Sequence, residues 1–380
     1  MEKLKQQIKN LTQSSNGKRD KIALCLAGGG ITGSMFEVGC LAALDDVLED
    51  GRGVNEFDMF VGISAGAIIA ALLANGYTPH ELSDDIRLNR DSPVNFKRKN
   101  IYSLPVADFF RSVAPLFRRL PSLIRYGWVN RRHATLMDLI SIMQEFIPPG
   151  VFSLNNLDKF VAGVLYPEGK TNDFRNLAKK LYIPATNLDT GERWVFGDDD
   201  DTVPISKAVA ASAAIPLFFR PFRINGQDYI DGATAQVSHM DIAIRNGAKL
   251  IIIINPTVPI FNDRSKNCIP TFDGRCGRLA EKGLGAVSEQ ARRIETKARF
   301  ELGFERFRQE HPELDYLVIQ PDASDGFLFL RGVMEYDSRK SILQYGYETV
   351  RNQIKSNFAV YKKLFEKHGL TFREDAEVEA

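Results

Sequence analysis

Residues 21–76 combine short apolar runs with longer periodic segments. Residues 21–27 (KIALCLA) form an apolar run, which predicts a buried strand. Apolar side chains then recur at helical spacing through residues 35–48. Residues 59–63 repeat the strand pattern, and residues 64–74 are Ala-rich and helical. This order of elements, with a glycine turn after the first strand and a tight turn after the second, is typical of the start of a parallel α/β sheet.

The rest of the chain continues the mixed pattern less regularly. We predict strands at 181–188, 192–196, 228–230, 250–254 and 317–320, helices at 206–214, 240–246 and 286–309, and a loop over 262–285. Residues 343–365 carry apolar side chains at alternating spacings of four and three. This stripe predicts one long amphipathic helix packed on the body of the protein.

Composition narrows the function classes. With 380 residues and 44% apolar content, the chain can bury one large core or two ordinary ones. Lys plus Arg (49) balances Asp plus Glu (48), so net charge gives nucleic-acid binding no support. The four cysteines form no CxxC pair, which argues against a disulfide framework or a zinc site and favours reduced thiols. No segment resembles a signal peptide or a membrane span, so we expect a cytoplasmic protein.

A candidate nucleophile follows the second predicted strand. Gly62-Ile63-Ser64-Ala65-Gly66 matches GxSxG, with an apolar strand before it and a helical pattern after it. In such a turn the flanking glycines remove steric clashes, and the serine oxygen projects above the sheet. The context favours a catalytic Ser64 over a chance match.

The glycine-rich loop after the first strand has two interpretations. Gly28-Gly29-Gly30-Ile31-Thr32-Gly33 satisfies the dinucleotide-binding pattern GxGxxG, and it could equally present backbone N–H groups to an oxyanion. A dinucleotide site needs an acidic residue at the end of the second strand, where this chain has Ser64. The oxyanion interpretation is therefore preferred.

The base that would activate Ser64 is not an obvious histidine. None of the five histidines ends a late core strand, and His239 is expected to be a helix-start or lid residue. Asp231, in Tyr229-Ile230-Asp231-Gly232-Ala233, ends an extended segment and could approach Ser64. On spacing alone, a turn-forming Asp-Gly remains equally possible.

These three motifs in this order resemble the patatin-like phospholipase family, and residues 184–191 and 210–219 support the resemblance. It covers residues 21–255 and implies a three-layer α/β sandwich, with a central mostly parallel sheet between helices and a helical lid. It also implies a Ser64–Asp231 dyad that needs no cofactor or metal. Gly28, Gly29 and Gly30 would form the oxyanion hole, and Gly33, Gly62, Gly66 and Gly232 would support the motifs.

Around that core we expect a polar leader (1–20), a basic-aromatic lid or insertion (87–135) inside the core, C-terminal loops and helices (256–367) and an acidic tail (368–380). The sequence assigns no oligomeric state.

Two departures weaken inferences about the substrate. The family usually carries Arg or Lys where this chain has Thr32, so a preference for anionic phospholipid is less secure. Residues 236–239 replace the Asn-Pro pattern that commonly follows the family's DG motif.

The resemblance implies hydrolysis of a lipid ester or thioester through an acyl-serine, with a carboxylate base of ordinary pKa near 4. Activity should then fall on the acid side, with no histidine inflection near neutrality.

Residues 95–132 interleave basic and aromatic side chains, and Asp91 and Asp108 are the only acids between Arg87 and Arg132. We weigh a cap over the site against a peripheral membrane contact, and the two are compatible. Nucleic-acid contact has no support from the fold. One rival function is an acyltransferase or thioesterase, which Ile63 disfavours because acyltransferases usually carry a histidine at that position. The other is a non-catalytic lipid-binding protein.

Overall fold

The computed structural model describes residues 20–49, 53–101, 148–236, 239–263, 269–271 and 273–373, with the single positions 121, 125 and 128. The strands are β1 (Ile22–Leu26), β2 (Met59–Gly62), β3 (Gly150–Phe152), β4 (Lys180–Asn187), β5 (Arg193–Phe196), β6 (Leu217–Phe219), β7 (Phe222–Ile224), β8 (Gln227–Asp231), β9 (Leu250–Ile254) and β10 (Asp315–Ile319). The α-helices are α1 (Gly30–Val47), α2 (Ala65–Ala74), α3 (Pro79–Arg87), α4 (Arg98–Ile101), α5 (Asn155–Val164), α6 (Ile205–Ser212), α7 (Met240–Arg245), α8 (Leu284–Glu310), α9 (Phe327–Arg331), α10 (Arg339–Ser356) and α11 (Phe358–Lys367).

The central sheet has the strand order β10-β9-β1-β2-β4-β8-β7, with β5 also paired to β4. The run from β10 to β4 is parallel, whereas β5, β7 and β8 join in antiparallel pairs. Because β1 and β2 are parallel neighbours, the loops after their carboxyl ends meet at one edge of the sheet. That edge holds the glycine loop and Ser64.

Helices cover both faces of this sheet. Successive side chains of β1 point to opposite faces, and all five of its residues are buried. Leu24 and Leu26 belong to the larger apolar cluster, which includes residues of α1, α2 and α10. Ala23 and Cys25 belong to a second cluster with residues of α7 and α8. The predicted α/β class and three-layer arrangement are therefore confirmed.

The C-terminal apolar stripe forms two helices rather than one. α10 packs closely along α1, and a Cβ added to Gly346 would collide with the backbone of Phe36. The helix then breaks at Asn357, which has φ −142° and whose side-chain amide donates to the carbonyl of Gln353 at 3.2 Å. An Asn side chain that competes for backbone partners interrupts a helix without disturbing its apolar spacing. Periodicity alone therefore gave a single helix where there are two.

Two other expectations are affected. Cys25 and Cys40 are free, but Cys276 is disulfide-bonded to a partner outside the described residues, so the expectation of only reduced thiols is wrong. The leader, the acidic tail beyond residue 373 and most of 87–135 lie outside the described residues. Within the part of the chain that is described, no helix is long and apolar enough to cross a membrane.

Candidate active site

Ser64 occupies a strained turn between β2 and α2. Its φ of 55° lies in the region that a residue with a side chain rarely adopts. The turn needs glycines at close approaches: a Cβ on Gly66 would come within 2.8 Å of the Leu26 carbonyl oxygen. Strain that the surrounding structure maintains is typical of functional sites.

The backbone of Ser64 is fixed by a residue distant in sequence. Its N–H donates to Oγ of Ser212 at 2.9 Å, and that hydroxyl donates in turn to the carbonyl of Pro184 at 2.6 Å. Ser212 is fully buried at the end of α6. One hydroxyl thus ties the turn to β4 and α6. The motif pattern did not reveal this role, since Ser212 is a small polar residue within an Ala-rich helix.

Asp231 ends β8 at the same height as Ser64. Val61 of β2 pairs with Tyr182 of β4, so three residues further on Ser64 is level with Ala185, and Ala185 pairs with Asp231. The Ser64 hydroxyl faces the Asp231 carboxylate and helps to lower its pKa. The structure therefore brings together the two residues that the resemblance assigned to the dyad.

Backbone contacts hold the Asp231 carboxylate in place. Oδ1 accepts the N–H of Ala233 at 2.9 Å, and the Asp231 carbonyl accepts the Thr186 hydroxyl at 3.1 Å. Burial nevertheless raises the pKa of Asp231 to about 6, because the hydrogen bonds from Ser64 and Ala233 offset only part of the desolvation. This corrects the sequence-based expectation of an ordinary pKa near 4.

The glycine loop lies against the Ser64 turn. Gly28, Gly29 and Gly30 all have positive φ, of 74°, 104° and 67°. The N–H of Gly28 donates to the Glu37 carboxyl at 2.7 Å, so it is already used. Within the described chain, no acceptor contacts the N–H groups of Gly29 and Gly30. Of the three glycines expected to form an oxyanion hole, Gly28 thus has its N–H already bound to Glu37.

A small apolar cavity that is partly open to solvent is lined by Ser64. Ser64 and Gly30 both line it, so the nucleophile and the glycine loop border the same space. Its remaining wall is mostly apolar and includes Ile68, Phe96, Ile101, Leu157, Phe219 and Met334. Such a lining suits an acyl chain, with polar groups at the reactive end only.

The first residues of the basic-aromatic segment form part of this wall. Phe96 packs edge-on against Tyr336, with ring centroids 5.8 Å apart, and the Arg339 guanidinium lies 3.8 Å from the Tyr336 centroid. Phe96 and Ile101 therefore lie in the wall of the cavity, which is compatible with the expected cap. The alternative of membrane contact falls mainly on residues outside the described ranges.

His239 takes no direct part in this geometry. It is fully buried at the start of α7, as the sequence indicated, with Nε2 3.3 Å from the Gly232 carbonyl and Nδ1 3.2 Å from Nη1 of Arg193. Burial, with the Arg193 charge beside it, lowers the pKa of His239 to about 3, so it is neutral. It fixes the loop after Asp231. Elsewhere in the described ranges, no group of three or more His, Cys, Asp or Glu side chains could hold a metal ion.

Comparison with known proteins agrees with these motifs. The family model for patatin-like phospholipases matches residues 24–244, which include the glycine loop, Ser64 and Asp231. This chain belongs to the patatin-like phospholipase family.

Curated relatives are distant members. A protein of Vibrio cholerae serotype O1 named cGAMP-activated phospholipase is 26% identical over 211 residues, covering 52% of this chain and 49% of the relative. A protein of Invertebrate iridescent virus 6, named "Probable lipid hydrolase 463L", is 25% identical over 226 residues, covering 58% of this chain and 63% of the relative. The chain spans about half to two thirds of the length of these relatives.

Among solved structures, VipD from Legionella pneumophila covers 90% of this chain at 15% identity, with 68% of VipD covered and a TM-score of 0.37. The type III effector ExoU covers 92% of this chain at 17% identity, with 62% of ExoU covered and a TM-score of 0.34.

Proposed function

We propose that this protein hydrolyses carboxylic esters of phospholipids or related acyl lipids through a Ser64–Asp231 dyad and a covalent acyl-enzyme. The observation that carries the proposal is that Ser64, which lines an apolar cavity, lies level with Asp231 in the sheet and interacts with its buried carboxylate. Covalent acyl transfer requires a nucleophile with a general base close enough to accept its proton. Family membership and the lipid-hydrolase names of two relatives support the substrate class.

In the first half-reaction, Ser64 Oγ attacks the ester carbonyl carbon while its proton moves to Asp231. The N–H groups of Gly29 and Gly30 stabilise the tetrahedral oxyanion, assisted by the positive end of α2. The ester C–O bond then breaks, and the proton passes from Asp231 to the leaving alcohol oxygen. The product is an acyl ester on Ser64.

In the second half-reaction, water attacks the acyl-Ser64 carbonyl and gives its proton to Asp231. Collapse of the intermediate breaks the bond to Oγ, the proton returns to Ser64, and the fatty acid leaves. Since the pKa of Asp231 is about 6, most of the carboxylate is ionised and able to accept a proton at pH 7.5.

Hydrolysis of long-chain phospholipid vesicles and of short p-nitrophenyl esters tests this function. Wild type should turn over both classes, Ser64→Ala neither, and Asp231→Ala should be slowed by a factor on the order of 10⁴. Wild type that binds vesicles but hydrolyses no ester would instead support a non-catalytic lipid-binding protein. A matched control is Asp241→Ala, which removes another carboxylate of the same region, one that pairs with Arg193.

A further inference from the structure

A buried carboxyl group on α1 is not used by the mechanism above. Glu37 is 0% exposed and forms no ion pair with any described residue. Its Oε1 accepts the N–H of Gly28 at 2.7 Å, while Oε2 has no hydrogen-bond partner. Glu37 is also the only charged residue between Gly30 and Leu44. A carboxyl placed inside an apolar helix face is costly, so its contact with the glycine loop requires an explanation.

The environment of Glu37 favours its neutral form. Burial raises its pKa well above the usual range, and only the Gly28 N–H opposes this. A neutral carboxyl still accepts the Gly28 N–H through its carbonyl oxygen. The group can therefore hold the loop without placing a negative charge behind a developing oxyanion.

The contact fixes the direction of the Gly28 N–H. Gly28 lies so close to the Ser64 turn that an added Cβ would contact Cβ of Ser64 at 3.0 Å. The Gly28 N–H is directed to Glu37. The next two N–H groups, of Gly29 and Gly30, have no acceptor in the described chain. Gly30 lines the cavity beside Ser64. Glu37 thus anchors the loop at the residue directly before these two N–H groups.

We propose that Glu37 is a positioning residue, which holds the Gly28 N–H away from the substrate and thereby orients the Gly29 and Gly30 N–H groups toward the oxyanion. This inference rests on the proposed function. It assigns Glu37 no contact with substrate, and it predicts that the acceptor oxygen, rather than a charge, is what matters.

Three variants test the role, assayed on a short p-nitrophenyl ester. Glu37→Leu removes the acceptor, and kcat should fall about 100-fold with KM within a factor of about 2, as when one oxyanion donor is lost. Glu37→Gln keeps an acceptor oxygen and should retain kcat within a factor of about 3. Asp45→Leu is the matched control, because Asp45 Oδ1 accepts the Val54 N–H at 2.8 Å at the other end of α1, about 22 Å from Gly30. It should lower Tm but leave kcat within a factor of about 3.

A folded Glu37→Leu with wild-type kcat, or one in which only KM changes, would overturn the proposal. So would a Glu37→Gln variant as slow as Glu37→Leu. If Glu37→Leu does not fold, Glu37→Asp replaces it, since the shorter side chain withdraws the acceptor from Gly28 and should also lower kcat.

A crystal structure of phosphonate-modified wild type is independent of every variant. The phosphonyl oxygen should accept from Gly29 and Gly30, with Gly28 still donating to Glu37. An oxygen bound by the Gly28 N–H would refute the inference. If wild type hydrolyses no ester and takes no phosphonate, the proposed function has failed rather than the role of Glu37 within it.

Discussion

Replacing Asp231 with Asn should stabilise the fold at neutral pH while it removes activity. Folding raises the pKa of Asp231 from 3.8 to about 6. A raised carboxyl pKa means that the folded state holds the proton more tightly, so its stabilising contribution is present below pH 4 and is lost as pH rises through 6. The shift of about 2 pKa units corresponds to a cost of about 3 kcal/mol for the ionised group.

Asn keeps the oxygen that accepts the Ala233 N–H, but it does not ionise. The unfolding free energy of Asp231→Asn relative to wild type should therefore increase by about 2 kcal/mol between pH 4.5 and pH 7.5. For a chain of this size, about 3 kcal/mol is on the order of 4 °C in Tm. Urea denaturation at the two pH values measures the difference.

Asp315→Asn is a control with the opposite sign. Hydrogen bonds and charge from His368 and Lys367 lower the pKa of Asp315, so its ionised form contributes stability above pH 4 that is lost on acidification. That variant should be less stable than wild type at pH 7.5, with the gap closing at low pH. An Asp231→Asn variant that shows no pH-dependent gain would refute the desolvated, ionised Asp231 on which the mechanism depends.

The remaining predictions concern catalysis and the support of Ser64. The kcat/KM profile should fall below about pH 6 as a single group, the Asp231 carboxylate, takes up a proton, and His239→Gln should leave that inflection in place. An inflection that disappears with His239 would assign the base to the histidine. Ser212→Ala removes the acceptor of the Ser64 N–H and one donor to the Pro184 carbonyl, and should cost about 1–3 kcal/mol of unfolding free energy and about 10-fold in kcat. Ser206 is a buried serine on the same helix, and its hydroxyl accepts from Asn172. The control variant Ser206→Ala should therefore change stability but not kcat. An equal loss of kcat in both variants would contradict the role of Ser212.

The nucleophile turn was predictable because its requirements are local. GxSxG between an apolar run and an Ala-rich helix specifies a strand, a strained turn and a helix within one short segment, Met59 to Ala74, and Ser64 occupies that turn. The start of the parallel sheet followed from the same short-range patterns. Asp231 needed the family resemblance, since an Asp-Gly pair has no distinctive local signal.

What the sequence did not provide depends on contacts between distant residues. Ser212 is 148 positions from Ser64, and only the packing of α6 against the turn brings them together. The pKa of Asp231 depends on burial by the assembled core, which no local pattern reports. Glu37 did carry a signal, as a lone charge inside an apolar helical segment, but its partner Gly28 was assigned to another role.

The most direct test of the central claim is the site of covalent modification. Wild type, Ser64→Ala and Asp231→Asn would be treated with a long-chain fluorophosphonate, and the adduct located by peptide mass spectrometry. The account predicts one adduct on Ser64 in wild type, none in Ser64→Ala, and labelling slowed at least 100-fold in Asp231→Asn. An adduct on another residue, or full-rate labelling of Ser64 without the Asp231 carboxylate, would contradict the dyad.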